Sequence, residues 1–125
     1  MIKVKKALIF ILIVGPIAVH ILSLGLEASE PLVGKVTLME LGSEWCLPCK
    51  MMRPILEGLQ KKYPKDLKVV IVDVQKDKQA AIKYQVKVIP TQIFFDREGK
   101  EFKRHVGYMP EKEIMKVLNE LKVSQ

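Results

Sequence analysis

The two cysteines of this chain stand two residues apart, in the segment Trp45-Cys46-Leu47-Pro48-Cys49-Lys50, and the sequence holds no other. A disulfide across so short a loop is a poor staple, because a crosslink stabilises by removing loop-closure entropy and that gain shrinks with loop length. The spacing suits chemistry better: one thiol attacks a disulfide as its thiolate, and the second, within reach of the first, releases the product. The pair also marks a junction. An apolar run of strand-like composition, Val36-Thr37-Leu38-Met39-Glu40-Leu41, precedes it, and a helical pattern begins at it. Sites in open α/β sheets lie just past the carboxyl end of a strand, at such a corner.

The segments that follow alternate in type. From Cys46 to Tyr63, the residues Met52, Ile55, Leu56 and Leu59 fall on one side of a helix, with Pro54 inside it to kink it and Pro64 to end it. Leu67 to Val74 is nearly all apolar, as expected of a central strand covered on both faces. Asp77 to Tyr84 predicts a short helix with Ala80, Ala81 and Tyr84 on its buried side. Thr91 to Phe95 is a strand, Asp96 to Lys100 a turn with Gly99 suited to a positive φ, and Glu101 to Tyr108 the returning strand. Pro110 can open a last helix at its first position, with Glu111 and Glu113 complementing the dipole and Ile114, Val117, Leu118 and Leu121 forming one apolar stripe. The order β-α-β-α-β-β-α implies an α/β fold: a central mixed sheet with helices on both faces, its first two strands joined in a βαβ unit.

Upstream, residues 1–26 differ in kind. Lys3, Lys5 and Lys6 precede a run from Ala7 to Leu26 without formal charge. As a helix, that run reaches about 30 Å, the thickness of a bilayer's hydrocarbon core. A cleaved signal peptide has a shorter apolar core, so an uncleaved transmembrane anchor is the preferred reading, although Ser23-Leu24-Gly25 offers small residues suited to cleavage. The lysines keep the tip in the cytoplasm and place the rest outside it. The expected organisation is a basic tip and anchor over 1–26, a linker over 27–33 and one α/β domain over 34–125, single-pass in the cytoplasmic membrane with the catalytic domain extracytoplasmic. Three of the 21 basic residues belong to the tip and all 14 acidic residues follow the anchor, which leaves +4 beyond it out of a total of +7. The lysines of that part are scattered among acids, with no aromatic-interleaved basic stripe, which argues against nucleic acid as a partner. Weak attraction to anionic lipid headgroups stays open.

Three segments together resemble thioredoxins: Glu44-Trp45-Cys46-Leu47-Pro48-Cys49-Lys50-Met51 with Pro54-Ile55-Leu56, then Val88-Ile89-Pro90-Thr91, then Val106-Gly107. The resemblance spans about Pro31 to Leu121, and the whole is similar to membrane-tethered, extracytoplasmic thioredoxin-like proteins, among them the thiol reductases that serve cytochrome c maturation. It implies a thioredoxin-like fold, with Cys46 as nucleophile and Cys49 as resolving thiol. Cys46 at a helix N-terminus agrees, since unpaired backbone amides there favour an anion and lower a thiol pKa. The resemblance further implies substrate contact at Trp45, Leu47, Pro48, Ile89, Pro90 and Gly107. Leu47 stands where glycine is commonest, so a reduction potential cannot be transferred. Spacing alone leaves Pro90 either trans, opening a strand, or cis; the resemblance implies cis.

Glu40 lies in an apolar strand six residues before Cys46. Thioredoxins usually carry a buried aspartate there, and a carboxylate shielded from water can serve as a general base near neutrality. The alternative is an edge glutamate facing solvent. Leu41-Gly42 replaces the family's usual aromatic pair, and the family's lysine near the acid is replaced by Val69. Trp45 is expected at the surface near the site rather than in the core, His20 falls within the anchor, and His105 is most simply an exposed strand residue.

The function expected is thiol–disulfide oxidoreduction by a monomer: disulfides of extracytoplasmic proteins are reduced with electrons from a membrane thiol donor. No cofactor is expected beyond the Cys46–Cys49 couple itself. The opposite direction, a disulfide oxidase or isomerase, is the alternative, though Leu47-Pro48 supplies no charge to stabilise the thiolate strongly. A metal-binding thiol carrier is the other class; two thiolates are too few for a closed zinc site, while a dimer or Cu(I) could use them.

Overall fold

The structure, a computed structural model, describes residues 29–125. Seven elements follow in the order β1 (Val36–Gly42), α1 (Leu47–Lys62), β2 (Leu67–Asp73), α2 (Lys78–Lys83), β3 (Thr91–Phe95), β4 (Glu101–Val106) and α3 (Glu111–Glu120). They form one mixed sheet in the order β2-β1-β3-β4. β1 runs parallel to β2 and antiparallel to β3, and β4 returns antiparallel to β3.

Side chains alternate across each strand, and the alternation sorts the core into two layers. Val36, Leu38 and Phe94 point to one face, where they meet Met52, Leu56 and Leu59 of α1 and Ile114, Val117 and Leu118 of α3. Met39, Leu41, Ile93 and Phe95 point to the other, against Ala80 and Tyr84 at α2. Helices thus cover both faces. Each fully buried Leu or Ile in these layers contributes about 1.5–3 kcal/mol of transfer free energy. Ala81, expected on the buried side of α2, is only half-covered.

Local signals set the ends of the elements. α1 closes with Lys61 and Lys62 in its last turn, and the Tyr63 N–H returns to the Leu59 carbonyl. Pro54 lies inside α1 on its exposed side, where water can take the carbonyl it leaves unbonded. Gly99 adopts φ 79° in the β3–β4 turn, and Asp96 Oδ1 accepts the N–H groups of Glu98 and Lys100. Pro110 is the residue capping α3, one place earlier than expected, with Glu111 and Glu113 in the first turn.

β2 departs from expectation. Its apolar run predicts a central strand, yet among the described residues it forms the edge of the sheet, and β1 and β3 are central. An apolar composition reports that the two faces of a strand are covered. It carries no information about hydrogen-bonding neighbours in the plane of the sheet. Val70 and Val72 pack under α2 while Leu67, Val69 and Ile71 face α1, which accounts for the run without a second neighbour.

The anchor expected over 1–26, with His20, lies outside the described residues. Among those described, no helix is long and apolar enough to cross a membrane.

Candidate active site

The carboxyl end of β1 carries the cysteine corner. The chain leaves β1 at Gly42 and turns through Ser43, whose carbonyl accepts the Cys46 N–H at 3.2 Å and whose hydroxyl accepts that of Trp45 at 3.2 Å. Asp73, at the end of β2, holds the same turn by accepting the Glu44 N–H at 3.2 Å, together with the N–H groups of Gln75 and Lys76. Those backbone donors, led by Gln75, keep its carboxyl below the ordinary value.

Cys46 is the N-cap of α1, with extended backbone. Its Sγ accepts the Cys49 N–H at 3.4 Å, and the two cysteines are joined as a disulfide. Cys49, one turn in, is buried, whereas Cys46 is partly open. Trp45 is 82% exposed and Leu47 69%, so neither serves the core. Pro48 is half-buried between the sulfurs' residues.

The same end of the sheet gathers the other expected residues. Thr91 pairs with Leu41 and with Val106, so Pro90 stands next to the end of β1 and Gly107 beside Pro90. The Ile89–Pro90 bond is cis, Pro90 is buried, and its carbonyl accepts the Gly107 N–H at 2.7 Å. Thr91 Oγ1 donates to the Val88 carbonyl at 2.6 Å, tying down the approach to Pro90. Exposed Val88 and Tyr108 flank this row.

Beneath the disulfide lies Glu40, 2% exposed, so the solvent-facing alternative does not hold. Burial pushes its carboxyl up to about 7, against a smaller opposing pull from Arg53. Its neighbour two residues on, Gly42, explains how the acid reaches the cysteines. A Cβ on Gly42 would stand 2.8 Å from Cys49 Sγ and 2.9 Å from Glu40 Oε1. The Cys49 sulfur and the Glu40 carboxyl thus converge on the same side of the Gly42 backbone. Glycine after Leu41 is therefore a requirement of close approach, and it makes room for the longer acid.

Two residues at the site went unrecognised in the sequence. Gly42 is one. Gln92, fully buried and directly across from Glu40, is the other. Its signal was available, since it shares the inner face of β3 with Phe94 and is followed by the apolar run Ile93-Phe94-Phe95. His105, expected to be exposed, is half-covered, lies in the next position of the same row beyond Gln92, and has Nε2 3.2 Å from the Tyr108 carbonyl.

Among the described residues, no group of three or more His, Cys, Asp or Glu is placed to hold a metal ion. A concavity of about 760 Å³ among the described residues lies beside β2 and α2, lined by Val72, Asp77 and Ala80 among others and by neither cysteine.

The family model for thioredoxin matches residues 29–120. The chain belongs to the thioredoxin family. It is 33% identical over 91 residues to the thioredoxin of Chlamydia trachomatis, covering 73% of this chain and 87% of that one. With the thioredoxin of Staphylococcus aureus it shares 36% over 84 residues, 67% of this chain and 80% of the other. Among solved structures, Fasciola hepatica thioredoxin superposes with a TM-score of 0.64 at 31% identity, over 70% of this chain and 82% of that one. The germline-specific thioredoxin Deadhead of Drosophila melanogaster does so with the same TM-score at 26% identity, over the same shares of the two chains. As a thioredoxin-family protein with its Cys-Leu-Pro-Cys pair at the head of α1, the chain is a thiol–disulfide oxidoreductase.

Proposed function

We propose that this protein reduces disulfides of other proteins on the extracytoplasmic side of the cytoplasmic membrane, tethered by residues 1–26 and recharged by a membrane dithiol carrier. The observation that carries the reductive chemistry is the buried Glu40 carboxyl placed beside the buried Cys49 sulfur, with Cys46 outermost. In the reduced protein, the Cys46 thiolate is stabilised by the α1 N-terminus, where the Cys49 N–H already points at its sulfur. It attacks one sulfur of a substrate disulfide, forming a mixed disulfide and releasing the first substrate thiolate. Cys49 gives its proton to Glu40 and attacks Cys46 Sγ. The Cys46–Cys49 disulfide forms, the second substrate thiolate leaves, and two electrons have passed to the substrate. A carrier dithiol reverses these steps on the protein.

Trp45, Leu47, Met51, Val88 and Tyr108 present an exposed apolar rim around the sulfurs, suited to a protein chain rather than a small ligand. Ile89, Pro90 and Gly107 border it, and Ile89 offers backbone to an incoming strand. The extracytoplasmic placement is supported by Lys3, Lys5 and Lys6 ahead of an uncharged run from Ala7 to Leu26.

The test uses the full chain. Cys46→Ser abolishes insulin-disulfide reduction, and Cys49→Ser accumulates mixed disulfides with extracytoplasmic proteins. A membrane-impermeant maleimide labels reduced Cys46 in intact spheroplasts. Insulin reduction that survives in Cys46→Ser refutes the chemistry; labelling only after lysis refutes the location.

A further inference from the structure

Glu40 and Gln92 are direct partners across the β1–β3 ladder and point to the same face. Opposed residues of an antiparallel pair have Cβ atoms about 4.5–5.5 Å apart, within reach of side chains of this length. Gln92 is 0% exposed. Its Nε2 donates to Met52 Sδ at 3.1 Å, which turns its carbonyl end away from that contact. Among the described residues, two buried side-chain atoms lack any hydrogen-bond partner, and they are Glu40 Oε1 and Gln92 Oε1.

Both orphans are acceptors. A buried polar group left unpaired is costly, and two acceptors cannot satisfy one another. A proton on Glu40 changes the count, since the carboxyl then carries the one donor that Gln92 Oε1 lacks. With its Nε2 engaged by Met52, the amide has its carbonyl left over to meet a donor.

We propose that Gln92 is a positioning residue: its side-chain carbonyl holds Glu40 in the neutral, proton-bearing form and thereby governs when Glu40 can accept the Cys49 proton. The inference rests on the proton-transfer role given to Glu40 above. It accounts for a polar side chain in the sealed inner face of β3, where Phe94 and its β1 partner Leu38 are apolar. It also adds to burial a specific reason for the carboxyl to stay neutral. The other groups facing this spot are Cys49 and Arg53 from α1, Asp73 from β2 in the row of Gly42, and His105 from β4 beyond Gln92. Arg53 favours the carboxylate, so the amide carbonyl works against it. β2 supplies only Ile71 directly opposite Glu40.

The experiment titrates Glu40 by carboxyl NMR in the oxidised full chain and, in parallel, follows the pH dependence of insulin-disulfide reduction, for wild type and Gln92→Met. Methionine keeps the length and volume but removes the carbonyl. The expected result is a Glu40 midpoint lower by about one pH unit, with the rate profile shifted by the same amount. An unmoved midpoint in a folded variant overturns the pairing and leaves the role of Glu40 standing. A midpoint that moves while the rate profile does not supports the pairing and overturns the proton-transfer role. Should Gln92→Met fail to fold, the Gln92 side-chain amide of the wild type decides: it must titrate with the Glu40 midpoint, and an amide indifferent to pH between about 5 and 9 overturns the proposal.

Discussion

Glu40 makes the stability of this fold depend on pH in an unusual direction. Its carboxyl is pushed up from 4.5 to about 7, chiefly by burial. Below the unfolded value, folded and unfolded chains both hold the proton and nothing is lost. Between 4.5 and about 7 the folded protein retains a proton that the unfolded chain has released, so stability falls as pH rises. Above that window both states are ionised, and the fold carries the whole penalty of a buried charge. At 1.36 kcal/mol for each pH unit between the two values, the loss is about 3 kcal/mol, a large part of a small domain's margin. Glu40→Gln removes the titration. In urea unfolding of the oxidised full chain, wild type therefore loses about 2.5 kcal/mol relative to Glu40→Gln between pH 5 and pH 8, the rest of the loss having occurred below pH 5. The slope against urea is unchanged. Asp66, Asp73, Glu101 and Glu113 are all held below their ordinary values, titrate under this window, and cancel in the subtraction. Parallel stability curves for the two proteins refute the reasoning, because a carboxyl indifferent to folding is not buried.

Two further outcomes follow from the geometry. Gly42→Ala places a Cβ 2.8 Å from Cys49 Sγ and 2.9 Å from Glu40 Oε1; it destabilises the oxidised protein by about 1–3 kcal/mol in urea unfolding, and a neutral substitution shows that the two groups do not converge there. Asp66 accepts Arg97 Nη2 with both oxygens at 2.7 Å and the Ser124 N–H at 2.9 Å, tying the α1–β2 loop to the β3–β4 turn and the C-terminal segment. The Ser124 backbone donor, then Arg97, lower its carboxyl pKa, so its contribution is present above 3.8 and lost as pH falls through the lowered value. Asp66→Asn costs about 1 kcal/mol at pH 7, and the difference in thermal unfolding disappears at strongly acid pH; a difference that persists there assigns the effect to packing.

The local grammar of the chain was legible. Leu47-Pro48 between two cysteines, followed by Met52, Leu56 and Leu59 at helical spacing, places a capped helix start on the cysteines without any knowledge of the rest. The turn at Asp96–Gly99 and the stripe Ile114, Val117, Leu118, Leu121 are equally short-range, since each depends on residues within one or two turns of backbone. Glu40 was legible as a buried acid only through the thioredoxin resemblance, because the alternation of a strand states which residues share a face and leaves open what covers that face.

The residues alone determined where strands and helices begin, which sides of them are apolar, and that two thiols meet at the head of a helix, because those properties follow from backbone preferences and side-chain periodicity over a few positions. Only the assembled sheet decided that β2 is an edge among the described strands, that Gly42, Pro90 and Gly107 form one row at the cysteine end of the sheet, and that Gln92 stands across from Glu40. Those relations join residues up to some sixty-five positions apart, and they are fixed by strand pairing and register, which no local pattern encodes.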